Sequence, residues 1–412
     1  MTSAAATVTA CDRIRRSRHH TALRPLCAGA AILAGSMLGG TGAAAQARAL
    51  PAAPVSAAPP ARTYTIAVAS EATDEISIIS FGPAGASVQT RVPIGLSATD
   101  PDGPHGLAVS PDREFYYVST AHGTPYGSFW KLRTSDNSIV GRVTLGNFPA
   151  TAQITPEGHL AFVVNFNLHG QMVPSDVSVV GVDDMVELTR IKTCTMPHGS
   201  RLNPQGTKHY SACMMDDMLV EIDVATFVVS RHFMLTKGKE MGMQGAPMTV
   251  SGATHDMSGH GMTAPAAGDP TCSPTWAQPS ADGRTVYVAC NRTSDVVEID
   301  VTTWQMVRRI PTGAGVYNLA VTKDGTKLIG TNKRDQSVSV IALPSGRELA
   351  RIPTKRKVVH GAVVSPDDRY AFISVEGIGS EPGTVEIIDL TTLKIVATVD
   401  VGQMAGGIDV IR

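Results

Sequence analysis

Histidine recurs at one position of a segment that is repeated seven times along this chain. The repeats align one column of residues: His105, Ala150, His198, Thr275, Tyr317, His360 and Ala405. Imidazoles at equivalent positions of a repeat converge when the repeats surround one axis, and imidazole nitrogens favour copper or zinc. The column therefore predicts a transition-metal site at His105, His198 and His360. The alternative is that each histidine is a polar cap that bonds to water.

A second set of metal-binding side chains lies in residues 236–270, a connection much longer than the others between repeats. It has almost no large aliphatic residue besides Val250, and its potential soft or nitrogen ligands are Met241, Met243, Met248, His255, Met257, His260 and Met262. Thioether sulfur selects Cu(I), and imidazole adds affinity for Cu(II). Long insertions in compact repeats carry function or are disordered. The segment therefore predicts copper binding, with a low-complexity linker or a lid for a partner as the alternative.

The cysteines that follow the N-terminal region fall at matching places in two repeats. Cys194 and Cys272 precede a first apolar run, and Cys213 and Cys290 end a second one. These positions are neighbours in an antiparallel hairpin, which predicts disulfides Cys194–Cys213 and Cys272–Cys290. Copper ligation by these cysteines is the alternative.

The N-terminal residues differ in kind from the rest. Residues 1–47 combine a basic stretch, a short apolar run and small residues, which is typical of a secretory signal peptide. Residues 48–62 are rich in alanine and proline and are predicted to be a linker. We therefore expect a periplasmic or extracellular protein with no integral membrane span after signal removal; an uncleaved anchor is the alternative.

The repeat itself predicts the elements that hold these residues. Each unit of about 40 residues has four alternating apolar runs and a Pro-Asp or Asp-Gly turn, which is typical of a β-propeller blade. The last unit has one strand, and the segment from residue 63 supplies three more. We expect an all-β, seven-bladed propeller over residues 63–412, closed by a blade that both termini share.

Composition excludes some functions. The formal net charge is −1 and 17% of residues are charged, which does not favour binding driven by nucleic-acid phosphates. The sequence contains no Gly-rich phosphate loop, nucleophile-elbow serine, Cys-x-x-Cys-His or His-Glu-x-x-His motif. Whether the chain is an enzyme stays open, because propeller enzymes gather residues from separate blades.

The motifs PHGLAVSPD, VHGAVVSPDD and ADGRTVYVACN, with VVEIDVTT and VEIIDLTTLKIVATV, resemble the YVTN family of bacterial exported seven-bladed propellers. The resemblance covers residues 62–412. That superfamily is similar to the propeller of nitrous oxide reductase and, more remotely, to the haem d1 domain of cytochrome cd1. Nitrous oxide reductase carries more propeller histidines and a cupredoxin domain. No such domain follows Arg412 here, so nitrous oxide reduction is not expected.

Three functional hypotheses follow. The first is copper handling or sensing through the 236–270 segment, expected to overhang the channel mouth, together with the channel histidines. The second is a redox enzyme with copper or a haem-like cofactor at that mouth, where His122 and His169 could add ligands. The third is a non-catalytic scaffold in the cell envelope. The expected partner is an envelope redox or copper-handling protein, and the expected state is a monomer.

Overall fold

The computed structural model describes residues 59–97, 99–122, 126–248 and 271–412. Within these ranges the chain is all-β, with one short 3-10 turn at Glu71–Thr73. No helix in this part of the chain is long and apolar enough to cross a membrane. The predicted signal peptide and most of the predicted linker lie outside the described residues.

The strands form seven antiparallel sheets, which we number as blades 1 to 7 from the first complete one. The innermost strands of blades 1 to 7 are β4 (Pro104–Val109), β8 (Pro149–Ile154), β12 (Pro197–Leu202), β17 (Pro274–Pro279), β21 (Val316–Val321), β25 (Val359–Val364) and β29 (Ala405–Val410). The second strands are β5 (Phe115–Thr120), β9 (Leu160–Asn165), β13 (Lys208–Cys213), β18 (Thr285–Cys290), β22 (Lys327–Asn332), β26 (Tyr370–Val375) and β1 (Tyr64–Ser70).

Two further strands complete each blade towards its periphery. The third strands are β6 (Ser128–Arg133), β10 (Pro174–Gly181), β14 (Met218–Asp223), β19 (Asp295–Asp300), β23 (Ser337–Ala342), β27 (Thr384–Asp389) and β2 (Glu75–Gly82). The outer strands are β7 (Ile139–Thr144), β11 (Val186–Thr195), β15 (Val228–Met234), β20 (Gln305–Pro311), β24 (Arg347–Pro353), β28 (Lys394–Asp400) and β3 (Gly85–Pro93). Blade 3 alone adds a fifth strand, β16 (Met241–Gln244).

Blade 7 closes the ring as the sequence predicts. Its innermost strand β29 comes from the C-terminal end and pairs antiparallel with β1, for example Ile66 with Val410. The Thr65 amide also donates to the Arg412 carbonyl at 3.0 Å. Closure leaves no exposed sheet edge between the first and last blades, which removes a site of unwanted strand pairing.

Neighbouring blades pack face to face through alternate side chains of their strands. Between blades 6 and 7, Tyr64, Phe81, Tyr370 and Phe372 form one buried aromatic cluster, with Phe81 and Tyr370 ring centroids 5.0 Å apart. Edge-to-face aromatic contacts of this kind add to the free energy of apolar burial. Seven such interfaces fix the orientation of the innermost strands, and these strands position the candidate site.

A left-handed residue precedes every innermost strand. Its carbonyl accepts the amide of the residue that follows the second strand, at 2.8–3.3 Å in all seven blades. Positive φ is uncommon outside glycine, so its recurrence marks a required bend. The bend residues have φ of 48° to 72°: Gly103, Phe148, Met196, Ser273, Gly315, Val358 and Met404.

Both predicted disulfides are present. Cys194–Cys213 and Cys272–Cys290 have Cα separations of 5.8 and 4.5 Å. Cys194 lies in β11 and not in the loop before β12, so its disulfide joins the outer strand of blade 2 to the second strand of blade 3. The first disulfide therefore links two blades.

Candidate functional site

The histidine column forms one ring of residues at the top of the central channel, which we call the strand-entry ring. Its members occupy the second position of the innermost strands: His105, Ala150, His198, Thr275, Tyr317, His360 and Gly406. The predicted seventh member, Ala405, is wrong by one residue, because Ala405 pairs with Ser70 as Pro104 pairs with Thr120. The segment QMAGGID has two adjacent glycines and no large residue to fix the alignment.

Large and small residues alternate around most of the strand-entry ring. Each small residue leaves room for the aromatic side chains of the two blades beside it to approach each other. Ala150 separates His105 from His198, whose ring centroids are 6.0 Å apart. Gly406 separates His360 from His105, at 5.5 Å. Tyr317 completes the group, with its ring 5.3 Å from His198 and 4.9 Å from His360.

His198 uses both ring nitrogens within the protein. Its Nδ1–H donates to the Thr275 carbonyl at 3.0 Å, and its Nε2 accepts from the Tyr317 hydroxyl at 3.0 Å. Burial, and then the nearby His105, lower the pKa of His198 to about 3. The imidazole is therefore neutral, and its lone pair is already used.

The Glu71 carboxylate connects two imidazoles above the ring. One oxygen contacts His105 Nδ1, and the other lies 3.0 Å from His122 Nε2. Burial raises the pKa of Glu71, but His105 and the other nearby histidines outweigh it and hold the pKa well below its usual range. The hydrogen bond that His122 donates to Glu71 raises the pKa of His122. His169 Nε2 lies 3.3 Å from His122 Nδ1, so both histidines lie at the top face.

On the other side of the ring, Lys333 and Glu376 form an ion pair at 2.7 Å, and the Lys333 ammonium lies 4.3 Å from the Tyr317 ring centroid. Burial, followed by the Lys333 charge, lowers the pKa of His360 far below its usual value. His360 Nδ1 and His105 Nε2 are buried and have no hydrogen-bond partner. Two nitrogens at the centre of the propeller are therefore available for a ligand.

Below the imidazoles the channel contains a chamber of about 30 Å³. Its polar lining comes from His105, Thr151, Arg201, Trp276, Asn318 and His360. A wider chamber of about 280 Å³ continues towards the ends of the innermost strands and shares Arg201 with the first. The arginine therefore lies where the two chambers meet.

Within the described ranges, no three His, Cys, Asp or Glu side chains form a group able to hold a metal ion. In the strand-entry ring, both His198 nitrogens already form hydrogen bonds, so His198 has no lone pair free for a metal. The metal site at His105, His198 and His360 stays a prediction.

The Met/His segment was expected over the channel mouth, but its described part lies elsewhere. Residues 241–244 form β16, which pairs with β15 at the outer edge of blade 3 and so lies four strands from the channel. The outer strand β15 has unpaired backbone groups, and residues 241–244 pair with them, so this part of the segment follows the outer edge of blade 3. Met241 and Met248 are exposed there. His255, Met257, His260 and Met262 lie outside the described residues.

Met243 pairs with His232, and Met241 with Met234. Directly paired residues share a face of the sheet, as do residues two apart on a strand. The opposite face contacts blade 4, since a β-carbon on Gly242 would meet Trp304 at 2.3 Å. The four side chains His232, Met234, Met241 and Met243 form what we call the edge cluster.

His232 has a free nitrogen in this cluster. Its Nδ1–H donates to the Gly245 carbonyl at 2.8 Å, and its Nε2 is buried without a partner. Burial lowers the pKa of His232, which keeps the imidazole neutral. A neutral imidazole with its proton held on Nδ1 presents Nε2 as a ligand.

Sequence reasoning missed several of these residues. Glu71, Lys333 and Glu376 follow the second strands of their blades, so a second column aligned at that position would have revealed them. His232 pairs with Met243 only through the fifth strand β16 of blade 3, and none of the seven sequence repeats predicts that strand. Arg201 and Trp276 each occur once in their columns and give no periodic signal.

A scan of known protein families finds no match to this chain, and a search of curated proteins finds no relative. Solved structures do match. Hydrazine synthase of Kuenenia stuttgartiensis is 19% identical with a TM-score of 0.56, over 77% of this chain and 97% of that one. A functionally unknown protein from Desulfotomaculum acetoxidans is 13% identical with a TM-score of 0.61, over 84% and 98%.

A periplasmic gluconolactonase of Pseudomonas aeruginosa is 16% identical with a TM-score of 0.63, over 85% of this chain and 99% of that one. At these identities the likeness establishes the fold and no activity. The chain is a seven-bladed β-propeller, similar in fold to proteins that include enzymes.

Proposed function

We propose that this chain is an exported propeller that binds copper at the edge cluster and serves copper handling or sensing. The observation that carries the proposal is the unpartnered Nε2 of His232 beside Met243. Three thioethers and one neutral imidazole are a donor set suited to Cu(I). The cluster contains Met241 and Met243, which the sequence predicts as ligands, and adds His232 and Met234.

The position of the cluster favours metal exchange. The Met241 side chain is 52% exposed, whereas His232 is 4% exposed. A site with one exposed thioether and a buried nitrogen can accept an ion from solvent or from a partner protein while the fold holds the remaining ligands. Residues 249–270 follow the described part of this segment in the sequence and include His255, Met257, His260 and Met262, which we propose as additional ligands.

Export is part of the same proposal. The two disulfides fit an oxidising compartment such as the periplasm or the cell exterior. The N-terminal residues have the order of a signal peptide. Membership of the YVTN family, a monomeric state and an envelope copper-handling partner also belong to this proposal, supported by the repeat motifs and the propeller fold.

The test is an anaerobic Cu(I) titration against a chromogenic chelator. We expect wild-type protein to compete for Cu(I) and the M241L/M243L variant to bind at least tenfold more weakly, because leucine keeps the volume but lacks the sulfur. The matched control is M172L/M215L, which removes two other exposed thioethers. Absence of competition by wild-type protein, or equal affinity of the two double variants, would contradict the proposal.

A second candidate function is redox catalysis at the channel mouth, with copper or a haem-like cofactor bound there. It is favoured by the buried Glu71 carboxylate between His105 and His122, since groups with perturbed pKa values cluster at active sites. An absorption spectrum of protein from its natural host tests it. Cofactor bands lost in the H105F variant would support it, and a colourless protein would oppose it.

A further inference from the structure

We propose that the central channel binds one small anion in the chamber between His105, His360 and Arg201. The ligand class is a monovalent anion of one to three heavy atoms, such as a halide or formate. This site is separate from the edge cluster, and its presence does not depend on copper binding.

The Arg201 charge is the first argument. Its guanidinium lies 4.3 Å from the Trp276 ring centroid, and its Nη1 donates to the Ser200 carbonyl at 2.9 Å. In the described ranges, Arg201 forms no ion pair with a carboxylate within 4.0 Å. The Asp409 carboxylate faces the wider chamber, but its oxygens accept the amides of Val109 and Val410. Asp409 is the carboxylate whose charge acts on Arg201, but it lies beyond ion-pair distance, so no anion contacts the guanidinium directly and one in the smaller chamber would do so.

Unpartnered polar atoms are the second argument. Trp276 Nε1, His105 Nε2 and His360 Nδ1 are all buried without a hydrogen bond, and all three residues line this chamber. The indole N–H can only donate, so its partner must be an acceptor. His360 Nδ1 can donate in its Nδ1–H tautomer, whereas His105 Nδ1–H donates to the Glu71 carboxylate and leaves a lone pair on Nε2. Asn318 Oδ1 is a further buried atom without a partner, and it is an acceptor. Trp276 and His360 therefore offer two donors to one acceptor.

Size and charge narrow the class of ligand. A water molecule needs about 10–15 Å³, so a chamber of about 30 Å³ holds two waters or one small anion. A sugar or a phosphate ester is too large. Water alone would satisfy the nitrogens but would leave the Arg201 guanidinium without an anion in direct contact. The same charge repels a metal cation, which distinguishes this chamber from a copper site.

The test is calorimetric titration of the purified full chain with sodium formate and with sodium bromide. We expect saturable binding of one anion per chain, with formate and bromide competing for the same site. R201Q should weaken binding at least tenfold, because charge-assisted hydrogen bonds are the strong ones. The control R347Q removes an exposed charge and should bind as wild type does.

A second variant covers loss of folding in R201Q. W276F keeps a ring beneath the guanidinium and removes only the N–H donor, and it should bind several-fold more weakly. In bromide-soaked crystals, anomalous scattering should give a peak between Arg201 and His360. Absence of saturable binding by wild type, a bromide peak elsewhere, or unchanged binding by W276F and R201Q would overturn the proposal.

Discussion

Met243 lies directly across from His232 in the pairing of β15 with β16, on the face of the blade that points away from Trp304. The pairing places a thioether beside a buried imidazole whose Nε2 has no partner. It exists only because blade 3 adds a fifth strand. The four side chains of the edge cluster therefore belong to the sheet and do not depend on a loop above the channel.

Removing the disulfide between blades should lower stability. C194S/C213S removes the disulfide between two residues that are 19 positions apart. We expect a loss of about 2–4 kcal/mol in the free energy of unfolding. Urea denaturation under non-reducing conditions measures it. The C272S/C290S variant, whose disulfide closes 18 residues, is the comparison. Unchanged stability in C194S/C213S would contradict a stabilising role for the disulfide between blades.

The alternation of large and small residues in the strand-entry ring predicts a steric effect. Ala150 is fully buried between His105 and His198, so A150L should lower the free energy of unfolding by about 1–3 kcal/mol. The same change at exposed Ala225 should have little effect. Thermal denaturation compares the two. Equal melting temperatures for A150L and wild type would contradict the close approach of the His105 and His198 imidazole rings.

His209 predicts a dependence of stability on pH. It is fully buried against the Phe162 ring, both nitrogens lack partners, and burial lowers its pKa from 6.5 to about 3. Between these values the unfolded chain binds a proton that the folded chain does not. The stabilising contribution is therefore complete above pH 6.5 and declines as pH falls, by up to about 1.4 kcal/mol per unit.

Urea denaturation of wild type and H209F at several values between pH 7 and pH 4 measures this effect. H209F removes the titrating group and keeps an aromatic ring against Phe162, so its stability should fall less steeply with acidification. The exposed histidine variant H159Q is the matched control. A slope in H209F as steep as in wild type would rule out His209 as the source.

The sequence predicts what is periodic and misses what occurs once. Seven repeats predict the blades, the shared closing blade and both disulfides, because equivalent positions recur from unit to unit, although the first disulfide joins two blades and not one hairpin. The position of Gly406 is missed by one residue, since small residues carry no alignment signal. The edge cluster depends on β16, whose place was set by the free edge of β15. Arg201 and Trp276 meet only because separate innermost strands converge.

X-ray absorption at the copper edge of the Cu(I)-loaded protein tests the central claim most directly. For the full chain we expect sulfur together with nitrogen from His232 and from the proposed ligands His255 and His260. Without residues 249–270 we expect sulfur with one nitrogen, which H232F loses and H209F keeps. To separate the contribution of residues 249–270, the same spectra are recorded on a variant lacking them. A shell of oxygen and nitrogen without sulfur, or a shell unchanged by H232F in that variant, would contradict copper binding at the edge cluster.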